Sequence, residues 1–99
     1  MTISKTIGKV LIDLTGQPQP EIALQLGVRD ILEHRLEKVN AGLRKYERKY
    51  KNSFMEFKKE WDENRIQDKY GYEVEKDYWE WESLYSRKMK LQEMSQWII

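Results

Sequence analysis

From residue 20 to residue 51 nothing in the chain has to stop a helix, and this stretch limits the fold more than any other feature. Within it, Leu32, Leu36, Val39, Leu43, Tyr46 and Tyr50 recur at spacings of four, three, four, three and four. That is a heptad-like apolar seam along one side of a helix. A helix of about 31 residues would be ~46 Å long. Gly27 and Gly42 lie inside it. Each costs roughly 1 kcal/mol against alanine in a helix interior. Close packing of a second helix would offset that cost; a kink is the alternative.

The flanking signals set the other elements. Gln17-Pro18-Gln19-Pro20 is the clearest break, because proline disfavours helix in the residue before it. Pro20 itself suits a first helical turn. Before the break, Ile3, Ile7, Val10, Leu11 and Leu14 share one helical face, with Thr2 or Ser4 as cap and Gly16 as stop. The run Val10-Leu11-Ile12 keeps a β-strand open as the alternative for this segment. Ser53 followed by Glu56 is a capping box, so a short helix starts there and carries Phe54, Phe57 and Trp61 on one face. Residues 65–72 read as a loop with a turn at Gly71. A last helix follows, with Val74, Tyr78, Trp81 and Tyr85 as its apolar stripe and Leu84 and Leu91 at one edge. The apolar tail is Trp97-Ile98-Ile99.

The expected fold is a single all-α domain over residues 1–99. It has an N-terminal arm or helix (1–17), a long helix (20–51), a short helix (53–64) and a C-terminal helix (73–96). The long helices form a hairpin through the short one, and the N-terminal helix folds onto it. A chain of 99 residues buries only roughly 60–65% of its unfolded surface, so the core is thin. Twelve aromatic residues and 39% hydrophobic content are too many for a simple disordered tail. There is no cysteine, which fits a cytoplasmic protein and removes thiolate and cysteine–zinc chemistry. The longest aliphatic run is three residues, far short of a membrane span.

Catalysis needs groups that titrate or attack. The chain has one histidine, His34, which points away from the seam. No Gly-flanked serine elbow, no Glu-x-x-His pair and no phosphate-cradling glycine loop is present. Neither an enzyme activity, a small-molecule substrate, a metal nor a cofactor is expected.

The informative feature is charge segregation. Residues 35–51 hold seven Lys or Arg against two Glu, whereas residues 60–82 hold nine Asp or Glu against three Lys or Arg. The net charge of +1 conceals both blocks. They either face one another within the hairpin, or the acidic block faces a basic partner, where such fields raise association rate and specificity. In Tyr72-Glu73-Val74-Glu75-Lys76-Asp77-Tyr78-Trp79-Glu80-Trp81-Glu82, Tyr78 and Trp81 belong to the core stripe. Trp79 falls about 100° or more away, near Tyr72, Glu75 and Glu82. Tryptophan is among the residues that dominate interface energetics. Trp79 is therefore read as an interface anchor, with packing on the short helix as the alternative. The candidate partner-binding set is Tyr72, Glu73, Glu75, Asp77, Trp79, Glu80 and Glu82. A weaker set for phosphate contact is Arg44, Lys45 and Arg48, with no base-reading motif beside it.

The stretch Tyr46…Lys49-Tyr50…Ser53-Phe54-Met55-Glu56-Phe57, followed by residues 72–82, resembles a family of small prokaryotic proteins. These carry a "KYG-x-SFEEF" block and then a "SYEVE-x-DYWEWE" block. They are TumA-like antitoxins, encoded beside TumE-type toxins. The resemblance covers residues 32–85 best, and Lys51-Asn52 stands where the family often has glycine. It implies a cytoplasmic protein that binds and neutralises a cognate toxin, one that acts on RNA, and a complex that represses its own promoter. Two other readings stay open. One is a DNA-binding regulator using the basic block. The other is a structural homodimer joined through the seam of residues 32–50.

Overall fold

A computed structural model describes residues 4–98. These form four helices and, among the described residues, no strand: α1 (Lys5–Thr15), α2 (Pro20–Tyr50), α3 (Phe54–Asp62) and α4 (Tyr72–Trp97). The all-α expectation holds, and α1 replaces the strand alternative. Thr2 and Ile3, included in the expected first helix, and Ile99 of the apolar tail lie outside the described residues.

The helix ends follow the local chemistry. Ser4 caps α1 by accepting the Ile7 N–H, and Gly16 closes it in the left-handed region at φ 72°. Pro20 opens α2 in its first turn. Lys51 ends α2, also left-handed, at φ 52°, a conformation costly for a residue with a Cβ. Ser53 Oγ accepts the Glu56 N–H at the start of α3. Gly71 precedes α4, and its N–H donates to the Asp68 carbonyl at 2.8 Å.

α2 is the spine. α4 runs antiparallel along its C-terminal part, so that Tyr50 meets Asp77, Tyr46 meets Glu80 and Gly42 meets Leu84. A Cβ built on Gly42 would fall 2.9 Å from Leu84 Cδ1, and one on Gly27 would fall 3.0 Å from Leu11 Cδ2. Both glycines thus admit a neighbouring helix, and α2 continues through them unbroken. α1 packs on the N-terminal part of α2 and does not touch α4. The molecule is accordingly elongated, 57 × 21 × 21 Å.

The core lies between α2, α3 and α4 and is mainly aromatic. Trp81 is fully buried at its centre, with the rings of Phe57, Phe54, Tyr50 and Tyr46 at 5.0, 5.6, 5.7 and 5.8 Å. Trp61 of α3 stacks on Tyr78 at 4.1 Å. The seam residues Leu32, Val39, Leu43 and Tyr46 are buried there, with Leu36 and Tyr50 packed against them. This corrects the seam-mediated homodimer reading: α4 and α3 of the same chain occupy the seam, which leaves it no free coiled-coil surface.

Candidate protein-binding face

The two charged blocks meet at one point. Lys49 Nζ bridges to Glu73 Oε1 at 2.7 Å and to Asp77 Oδ2 at 2.5 Å. The Tyr50 hydroxyl donates to the same Asp77 oxygen at 2.6 Å. Burial works against the charge of Asp77, but the hydrogen bonds from Lys49 and Tyr50 outweigh it and hold the carboxyl below its usual range. Those bonds to Asp77 and Glu73 push the Lys49 ammonium pKa up. Burial, followed by the Asp77 hydrogen bond, raises Tyr50 to about 12. Among the described residues the remaining ion pairs lie within a block or a helix: Lys58–Asp62, Arg65–Glu63, Lys76–Glu80 and Lys90–Glu93. Most of the charge segregation therefore remains on the surface.

The seven residues of the candidate set divide into three groups. Asp77 is buried and turned to α2, and Glu73 joins it through Lys49. Asp77 is thus a correction to the candidate set: a carboxylate already holding two donors inside the hairpin is not presented to a partner. Glu82 lies on the α3 flank, close enough to Tyr78 to add to the rise that burial gives its hydroxyl pKa. The outward group is Tyr72, Glu75 and Trp79, one helical turn apart along α4, with Glu80 to one side.

Trp79 is 55% exposed and stands outside the core cluster, which removes the alternative that it packs on α3. Open depressions flank it on two sides. One, of about 370 Å³, is lined by Tyr70, Tyr72, Glu75, Lys76 and Trp79. The other, of about 470 Å³, is lined by Tyr46, Trp79, Glu80, Ser83 and Leu84. Tyr70 and Tyr72 are 79% and 83% exposed. In the second depression the Tyr46 hydroxyl donates to Glu80, and burial together with that bond raises Tyr46 to about 12.

The sequence reading missed Tyr70. The Tyr70-Gly71-Tyr72 run carried the signal, because Gly71 lets the loop approach Asp68 closely and brings both rings to the start of α4. Arg44, Lys45 and Arg48 are exposed on α2, and none takes part in an ion pair among the described residues. Lys45 lies 5.6 Å from the Tyr46 ring centroid. His34 is exposed. Among the described residues no cluster of His, Asp or Glu is placed to hold a metal ion, and no helix is long and apolar enough to cross a membrane. Compared with protein-family models, with curated proteins and with solved structures, the chain finds no match.

Proposed function

We propose that this chain is a non-enzymatic binding protein, an antitoxin that neutralises a cognate toxin by covering a basic, RNA-binding groove. The observation that carries the reading is Trp79: a large aromatic ring more than half exposed on a charged helix, between two open depressions. Such a ring gains most when a partner desolvates it. Tyr70, Tyr72 and Trp79 around the Glu75 carboxylate suit a guanidinium or ammonium group, which ring faces attract within about 6 Å. Lys69 already lies 5.1 Å from the Trp61 ring centroid and 5.6 Å from that of Tyr70, next to this face. A basic groove supplies such cations. The resemblance of residues 72–82 to TumA-like antitoxins names the kind of partner, and the cytoplasm is the compartment in which it would act.

The test is co-expression of the tagged chain with a TumE-type toxin and recovery of the complex. Stoichiometric recovery that survives moderate salt, and is lost with Trp79→Ala or Glu75→Lys, is the expected result. Recovery unchanged in both variants would place the interface elsewhere.

A second reading rests on Arg44 and Arg48, exposed and without an ion pair among the described residues, with Lys45 beside them. Duplex DNA held by three phosphate contacts would lose affinity with salt at a log–log slope of about −3. Absence of duplex binding at low salt removes this reading.

A further inference from the structure

The chain's own lysines show what its rings attract. Lys49 Nζ lies 5.5 Å from the Tyr50 ring centroid while it bridges to Glu73 and Asp77. Lys69 Nζ lies beside the Trp61 and Tyr70 rings and donates to Asn64 Oδ1 at 2.8 Å. Each ammonium thus has an aromatic ring and an oxygen acceptor together. The outward face of α4 repeats that grouping without the cation. Tyr72 and Trp79 line one depression with Glu75, and among the described residues no cation of the chain lies over either ring. Glu75 takes part in no ion pair among the described residues, whereas Glu73 and Asp77 hold Lys49. Glu80 accepts the Tyr46 hydroxyl, and Lys76, at the rim of the same depression, lies 3.9 Å from Glu80. The Trp79 ring meets the buried Tyr78 ring edge-on at 5.2 Å, which sets its orientation before any ligand arrives.

We propose that this depression takes one arginine side chain of the protein partner, its guanidinium stacked on the Trp79 ring and forked onto the Glu75 carboxylate beside Tyr72. This rests on reading the outward face of α4 as a protein-binding surface. Arginine fits better than lysine because the depression is open to water. An ammonium is compact and strongly hydrated, and an open site does not strip that water. A guanidinium is planar and weakly hydrated, so it lies flat on a ring while its edge donates two bonds to a carboxylate. The surroundings select a cation as well, since residues 60–82 hold nine Asp or Glu against three Lys or Arg. The phosphates of a nucleic acid would meet that excess as repulsion.

The experiment titrates the full chain with hexa-arginine and with hexa-lysine, following the Trp79 indole N–H resonance, which a Trp79→Phe chain assigns. The two peptides carry equal charge, so acidity alone binds them equally. Hexa-arginine should bind at least about threefold more tightly. Glu75→Gln or Tyr72→Ala should bring the two affinities together; both residues are exposed, so neither change touches the core. Equal affinities in the wild type overturn the proposal. So does a preference that survives both changes, or a Trp79 resonance moved by oligouridine and by neither peptide. No toxin enters this titration, so its outcome is separate from the co-expression test. A toxin complex without the arginine preference removes the arginine and leaves the antitoxin reading. The arginine preference without a toxin complex supports the site and removes the antitoxin.

Discussion

The two ends of α2 are finished in different ways. At its C-terminal end, Trp81 sits inside rings contributed by α2 and α3, and Lys49, Tyr50 and Asp77 tie α2 to α4. At its N-terminal end, α1 lies against a single helix with its aliphatic stripe exposed. The first end closes its core within the chain; the second leaves Ile7, Val10 and Leu14 exposed. Burial creates stability roughly in proportion to apolar area removed from water. The folding energy of the chain therefore concentrates where α3 and α4 meet α2, and α1 contributes least to it.

Equivalent truncations at the two ends should show that difference most strongly. Trp81→Ala should cost about 3–5 kcal/mol in denaturant unfolding, the range for large core aromatic deletions. Leu11→Ala in α1 should cost clearly less in denaturant unfolding of the monomer. Equal costs would refute the unequal distribution of stability.

The next effect is at the polar tie. Asp77→Asn weakens a charge-assisted pair of bonds and should cost about 1.5–3 kcal/mol. Because the folded carboxyl pKa is lowered, its stabilisation is present above the unfolded value of about 3.9 and is lost as pH falls below it. The acid limb of the Tm–pH profile should therefore flatten in the variant.

Tyr46 and Tyr50 shape the opposite limb. Both are raised to about 12 in the folded chain, above the unfolded value of about 10. Their contribution is full below pH ~10 and is lost as pH rises toward ~12, by ~1.4 kcal/mol per unit of pKa difference. Tyr50→Phe should remove part of this alkaline loss, read from the same Tm–pH profile.

The smallest effect is a gain. Lys51→Gly relieves a left-handed residue at the α2 terminus, at the place where the resembled family often has glycine. It should stabilise the chain by about 0.5–1 kcal/mol in chemical denaturation.

Much of the fold was legible because it depends on local chemistry. Pro20, Ser53 and Gly16 mark helix ends by what they do to their own backbone. The spacing of Leu32 to Tyr50 fixes which side of α2 is buried, and Tyr78 and Trp81 follow from the stripe of α4. Trp79 was legible by the same periodicity, since it falls on the opposite side of that helix. What depends on contacts distant in sequence was not legible. Asp77 reads as one more surface carboxylate until Lys49 and Tyr50, more than 25 positions away, are brought to it. Tyr70 joins the site through the geometry of a loop rather than a period. The α1 stripe suggested burial; the direction in which Leu11 meets Gly27 turns Ile7, Val10 and Leu14 outward instead.

The inward face of α4 is the core, and the outward face is the proposed binding surface. Calorimetric titration of a TumE-type toxin with the wild-type chain and with Trp79→Ala separates the two faces. The variant should keep the wild-type melting temperature and lose at least about 30-fold in affinity, the mark of an interface anchor worth ~2 kcal/mol. Wild-type affinity in a normally folded Trp79→Ala chain would contradict it.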